Sequence, residues 1–309
     1  MVFKYCLNSI KKLCKMKVHL ILISFFVLSS NLFSQDFEYK VGTTSALWKN
    51  PKVEDFKNAK IHGIDFIEVA FNQFYRGVPA DEVIQRIQNM KLKVDSAGIN
   101  VWSIHLPFSR TLDISVLNDS LRKENVKFMA KMIKQAAVFN PQRLVLHPSS
   151  EPISDEERGE RLKNTKESIK QLKECADSLK LQLCIENLPR TCLGNTPEEL
   201  LFIIKDIPGL KVCFDTNHYF GGTTQHFIDV LGDYIGTIHA SDFDFNNECH
   251  WLPTQGDIDW KELVLSLQKV GYNGVFMYEA TKDRLANNKR LTPEQIKTSF
   301  HNIRSQVLK

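Results

Sequence analysis

Eight short apolar or β-branched runs recur along the chain from about Tyr39, each separated from the next by a longer amphipathic stretch, and this alternation limits the possible fold more than any other feature. The runs are "YKVGTT", "DFIEVA", "NVWSIH", "RLVLHP", "QLCIEN", "KVCFDT", "IGTIHA" and "GVFMYE". Their spacing of about 20 to 45 residues accommodates a strand, a helix and two loops, which is what a parallel crossover needs. Between them, "DEVIQRIQNMKLKVDSAG" and "SLRKENVKFMAKMIKQAAVF" place apolar residues three and four apart, and "TPEEL" at Thr196 reads as a helix cap followed by proline. "AGI", "PGL" and "GYNG" put glycine where a helix stops and the chain turns into the next strand. One long break, residues 240–259, separates the seventh run from its helix. There is no Gly/Ser linker and no low-complexity tract. Eight such units predict an α/β chain forming a single (β/α)₈ TIM barrel, and 309 residues suit a fold that takes roughly 250 residues plus insertions.

Residues 1–35 stand apart from this pattern. The stretch "MKVHLILISFFVLSSNLFSQ" has a basic start, an apolar run from Leu20 to Leu28 and a small-residue exit near Ser34, the order of an export signal, and the run is short for a bilayer span. Met16 is an alternative start. The expectation is a signal peptide over 1–35 and a barrel over 36–309, exported to a bacterial periplasm, with no stable membrane insertion after cleavage. Cleavage would remove five lysines and no acid, taking the formal net charge from +4 to −1. That leaves no surplus of base for duplex nucleic acid, so no nucleic-acid partner is expected, and a small neutral or anionic substrate fits better. Five cysteines would remain (Cys175, Cys184, Cys192, Cys213, Cys249), an odd number without CxxC pairing, and they read as mostly buried thiols.

In a barrel the C-terminal strand ends converge on one mouth, so the residue that ends each run carries the chemistry. The second run offers Glu68, the third His105, the fourth His147, the fifth Glu186, the sixth Asp215, the seventh His239 and the eighth Glu279. With 36 acids and 9 histidines among 309 residues, six consecutive strands ending this way by chance has odds on the order of 10⁻⁵. Carboxylates and imidazoles packed into one cavity repel one another and are poorly solvated unless a cation joins them. An oxygen and nitrogen donor set without thiolates suits one divalent metal ion, Mn²⁺, Mg²⁺, Co²⁺ or Zn²⁺.

Taken together, "CIENLPR", "VCFDTNH", "IGTIHASD" and the run "HWLPTQGDIDW" followed by "GYNGVFMYEA" resemble the xylose isomerase-like barrels, which include sugar isomerases and epimerases, inosose dehydratases and the endonuclease IV branch. The resemblance covers nearly the whole chain after residue 35. It implies that Glu186, Asp215, His239 and Glu279 bind the cation, and that Glu186 and Glu279 exchange a proton with a sugar through an enediolate. The implied activity is isomerisation or epimerisation of an unphosphorylated keto-sugar or related carbohydrate. A lyase, dehydratase or hydratase on a keto-sugar or inosose would use the same ligands with one added acid. An exported carbohydrate-binding barrel without catalysis is a third reading. The endonuclease IV branch binds three zinc ions, and His105, His147, His218, Glu248 and His250 match much of its longer ligand set. Glu248 replaces an Asp there, however, and "PTQGDID" lacks the first glycine of the usual run.

These five residues, with Glu68 and Trp251, are therefore expected to contact substrate or a further metal. Glu68 has the alternative of pairing with a neighbouring base. Arg190, four residues after Glu186, reads as a surface ion pair or a substrate contact. Trp102 reads as core, whereas Phe108 and Trp251 are placed to meet a sugar face.

Overall fold

A computed structural model describes residues 39–309. The export signal expected over 1–35 lies outside the described residues. Eight parallel strands close into a barrel in sequence order: β1 (Val41–Thr44), β2 (Phe66–Ala70), β3 (Asn100–His105), β4 (Arg143–Leu146), β5 (Gln182–Glu186), β6 (Lys211–Asp215), β7 (Ile235–Ala240) and β8 (Phe276–Tyr278), with β8 pairing back onto β1. Each strand lies within one of the eight runs. The register shifts between Ile67 and Glu68 on β2 and between Val212 and Cys213 on β6.

Around this ring lie α1 (Val53–Ile61), the single turn α2 (Asn72–Tyr75), α3 (Val83–Ala97), α4 (Asp119–Ala136), α5 (Asp155–Ser178), α6 (Pro197–Ile204), α7 (Thr224–Leu231), α8 (Trp260–Lys269) and α9 (Pro293–Val307). The α3 helix shows why: Val83, Ile87, Met90, Val94 and Ala97 recur three and four apart and form its buried stripe. It stops at Gly98, whose φ of 62° gives the left-handed cap that other residues adopt only at a cost. Thr196 caps α6 by accepting from the Glu199 amide, with Pro197 in the first turn. None of the described helices is long and apolar enough to cross a membrane.

The barrel interior is filled rather than open. Trp102 is buried against Val275 and Met277 and donates its Nε1–H to Thr237 Oγ1 at 3.0 Å, as its reading as core requires. Val145, Cys184 and Cys213 pack together nearby. All five cysteines of the described region are free thiols, four of them buried.

The reading of a single long break needs correction. Residues 106–118, between β3 and α4, and 279–292, between β8 and α9, are further long connections, although the stretch between β7 and α8 remains the longest. The second contains two antiparallel pieces, β9 (Lys282–Asp283) and β10 (Lys289–Arg290), and turns back at Asn287 and Asn288, with φ of 55° and 58°. Asparagine tolerates that region through local hydrogen bonding, a preference too local to stand out beside the strand periodicity.

Candidate metal centre

Six of the strands deliver their terminal side chains into one buried cluster. Single donor atoms of Glu186, Asp215, His239 and Glu279 all lie within 4.8 Å of one another, as do those of His105, Glu186 and His239. The focus is His239 Nδ1, which stands 2.7 Å from Glu279 Oε2, 3.3 Å from Glu186 Oε1 and 3.9 Å from Asp215 Oδ2. On the other side of the ring, His239 Nε2 faces Glu68 Oε2 at 2.8 Å. If Nε2 carries the proton and donates it to Glu68, the Nδ1 lone pair is left free toward the three carboxylates.

Glu68 is fully buried and also accepts from Ser103 Oγ at 2.7 Å. It therefore stands behind His239, paired with that base. Its contacts are with protein, away from the mouth surface where a substrate contact was expected.

The donor set fits a divalent cation on its own chemistry. Asp215 Oδ2, Glu186 Oε2 and Glu279 Oε2 are buried without a hydrogen-bond partner, an arrangement that three neighbouring carboxylates cannot sustain cheaply unless a positive ion lies between them. The same crowding appears in their acidity. Burial pushes the Asp215 carboxyl up to about 7, the charges of Glu279 and Glu186 adding to the effect and His218 opposing it. Glu186 responds oppositely: burial disfavours its charge, but His147, His239 and His105 outweigh that and hold its carboxyl well below the usual range. His105 Nε2 and His147 Nε2 both approach Glu186 Oε2 to 3.1 Å, off the hydrogen-bond direction.

A second group forms beside the first. His218, Glu248 and His250 also present donor atoms within 4.8 Å of one another, with Glu248 Oε1 at 3.5 Å from His218 Nε2 and 3.3 Å from His250 Nε2. The other carboxylate oxygen of Glu248 pairs with Arg190 Nη1 at 2.8 Å, and Arg190 reaches Glu151 at 2.7 Å as well. Arg190 is thus an ion-pair bridge between two mouth loops.

A family model described as a xylose isomerase-like TIM barrel matches residues 56–304. The chain belongs to this family. Among its relatives is an uncharacterized protein of Methanocaldococcus jannaschii, 31% identical over 185 residues that cover 57% of this chain and 63% of the relative. The D-psicose 3-epimerase of Ruminiclostridium cellulolyticum is 25% identical over 268 residues, covering 78% of this chain and 83% of that protein. The crystal structure of a D-tagatose 3-epimerase-like protein shares the fold with a TM-score of 0.72, at 24% identity over 87% of this chain and 97% of its own.

Within this xylose isomerase-like barrel, several residues that hold the cluster in place escaped the sequence reading. Asn187 accepts from the Asp215 amide at 2.7 Å and donates to the Asp215 carbonyl at 2.9 Å, locking the end of β6 to β5. Asn217 Oδ1 accepts from the amides of Cys249 and His250, both at 3.1 Å, which ties the 240–259 loop to β6. Asp242 organises that loop by accepting from the amides of Phe243, Thr254 and Ile258 and from Trp260 Nε1. Their only signal is adjacency, in "EN", "DTNH" and "SD". Phe108 lies at the mouth but stacks on His147, with ring centroids 4.1 Å apart. Trp251 donates to Asn288 Oδ1 at 3.0 Å and carries Arg284 over its ring at 4.3 Å, so the 279–292 segment claims one of its faces.

Proposed function

We propose that this xylose isomerase-like barrel is a metal-dependent sugar isomerase or epimerase acting on an unphosphorylated keto-sugar or related carbohydrate. The observation that carries the reading is the pair Glu186 and Glu279, carboxylates from different strands that converge on His239 Nδ1 at 3.3 and 2.7 Å. The Glu186 side chain is 1% exposed, whereas that of Glu279 keeps 21% and faces the opening. The similarity to a D-psicose 3-epimerase supports the same reaction class.

A bound divalent cation would polarise a substrate carbonyl and acidify the hydrogen on the adjacent carbon. Glu186, kept ionised by His147, His239 and His105, takes that proton, and the C–H electron pair moves into an enediolate. Glu279, the more open carboxyl, relays a proton from solvent to carbon with inverted configuration or a displaced carbonyl, and Glu186 then releases the abstracted proton to solvent, which closes the cycle. His105 and His147 hold Glu186, and Glu68 orients His239. The group of His218, Glu248 and His250 favours one further reading, because a proton donor there would let the same intermediate expel water. The preference for unphosphorylated sugars rests on the export signal expected over residues 1–35.

A panel of keto-sugars incubated in D₂O with protein from the periplasmic fraction and each candidate cation, followed by NMR, tests the reading. Deuterium at carbon and an epimeric or isomeric product are expected, and Glu186→Gln should abolish exchange while leaving cation bound. An elimination product would move the assignment to a lyase. Undiminished exchange in Glu186→Gln, or sugar binding with no exchange, would sink it, and recovery of only uncleaved cytoplasmic protein would remove export.

A further inference from the structure

Three arginines on the mouth rim are held by backbone carbonyls, without an ion pair among the described residues. Arg76 donates from Nη2 to the Phe108 carbonyl at 3.2 Å and lies 5.0 Å over the Phe108 ring. Arg284 donates from Nη1 to the Gln255 carbonyl at 2.8 Å and lies 4.3 Å over Trp251. Arg290 donates from Nη1 to the carbonyls of Ala46 and Leu47 at 2.8 and 3.1 Å. Among the described residues none of the three is within ion-pair distance of a carboxylate. Across the mouth, Arg158 pairs with Glu199 at 2.7 Å and Arg190 with both Glu151 and Glu248. Asp283, the chain neighbour of Arg284, is buried and spends its oxygens on Gln255, Leu285, Ala286 and Gln295.

An arginine fixed by a neutral carbonyl and an aromatic face keeps its full charge, a set orientation and unused N–H donors. Two of the three also lie one ring outward from the titratable cluster. Arg76 sits on Phe108, which stacks on His147, itself 3.1 Å from Glu186. Arg284 sits on Trp251, the chain neighbour of His250. The carboxylates of the centre repel an anionic group placed beside them, so an anionic group on a sugar would settle outward, toward this rim.

We infer that the substrate is an acidic sugar whose anionic group is held by Arg76, Arg284 and Arg290 while its carbonyl end enters the cluster of Glu186 and Glu279. The inference rests on the sugar-active reading above and adds the charge of the substrate to it. A carboxylate, as in a uronate, and a phosphate ester present the same chemistry to these guanidinium groups.

Ligand-observed NMR with the metal-loaded protein distinguishes the cases, using matched sets of glucose, glucuronate and glucose 6-phosphate and their galacto counterparts. At least tenfold tighter binding of a charged member over its neutral partner is expected, weakening as salt is raised. Arg76→Gln and Arg284→Gln should each remove most of that preference, Arg76→Lys should restore part of it, and Lys163→Gln, on the outer face of α5, should leave it unchanged. Tighter binding of the uronate names the carboxylate and agrees with the unphosphorylated reading, whereas tighter binding of the ester names the phosphate and keeps the rim site but removes that reading. Equal or better binding of the neutral sugars, a preference that survives both arginine variants, or no binding of any charged member overturns the inference. Binding is read without turnover, so a charged-sugar preference stands if deuterium exchange is absent, and exchange on neutral sugars with no arginine effect leaves only the reaction class standing.

Discussion

Glu68 is the residue whose contribution is felt furthest from its own position. It never reaches the mouth, yet through a contact of 2.8 Å inside the barrel it fixes the His239 ring whose other nitrogen faces the carboxylates. Replacing it by Gln keeps an acceptor for Nε2–H but removes the negative charge that makes His239 a better ligand. Loss of such a partner lowers metal affinity by about 10–100-fold in comparable sites, and the same range is expected for Glu68→Gln in a chelator-competition titration. Unchanged cation affinity would show that His239 is oriented without it. The contrast with Asn187 and Asn217 is instructive: they act on backbone amides and hold the ends of β5, β6 and the 240–259 loop in place.

At the scale of elements, strands carry the ligands and loops carry their surroundings. The 240–259 loop folds about the Asp242 carboxylate, and Gly256 lets it do so, since a Cβ there would fall 2.4 Å from both Asp242 Oδ1 and the Phe243 carbonyl. Gly256→Ala must displace Asp242 from its four donors, at a cost of about 1–3 kcal/mol typical of overpacking. The expected outcome is a lower melting temperature and faster proteolysis within 240–259, with cation affinity at the strand-end ligands nearly intact. Loss of cation affinity equal to that of a ligand variant would show that loop and centre are not separable. On the other side, Asp113 anchors residues 106–118 by accepting from the amides of Ser115 and Ser150 and pairing with the buried Arg161 of α5. These loop anchors were not readable beforehand, because nothing in their local pattern distinguishes a buried turn acid from a solvated one. Strands were readable because a parallel strand covered on both faces is a continuous apolar run, and its polar last residue ends the run visibly.

For the molecule as a whole, the eight runs specify a closed ring, and closure alone brings together residues as distant as Glu68 and Glu279. That strand-end acids and histidines would converge was therefore foreseeable from topology, while the choice of Glu186, Asp215, His239 and Glu279 among them came from the family resemblance. The position of Glu68 was not foreseeable, since the partners that hold its carboxylate inside the barrel, Ser103 and His239, lie on strands distant in sequence. Arg190 was half legible: its ion pairing was foreseen, but the two loops it joins meet only in three dimensions. A cation that binds the folded ring and not the unfolded chain should stabilise the whole domain by roughly 4 kcal/mol at a concentration about 1,000 times its Kd. Chelation should then lower the melting temperature by roughly 10 °C in a scanning calorimeter, and an unchanged melting temperature would argue that these donors hold no ion.

The closure of β8 onto β1 also bears on selectivity. Glu186 and Glu279 ride on a ring without a free edge or a hinge, so the gap between them is set by the circumference of the barrel and does not answer to the ligand. A centre of this kind behaves as a fixed gauge. It leaves adjustment to the rim, where loops can be lengthened, recharged or exchanged over generations without resetting the chemistry beneath them.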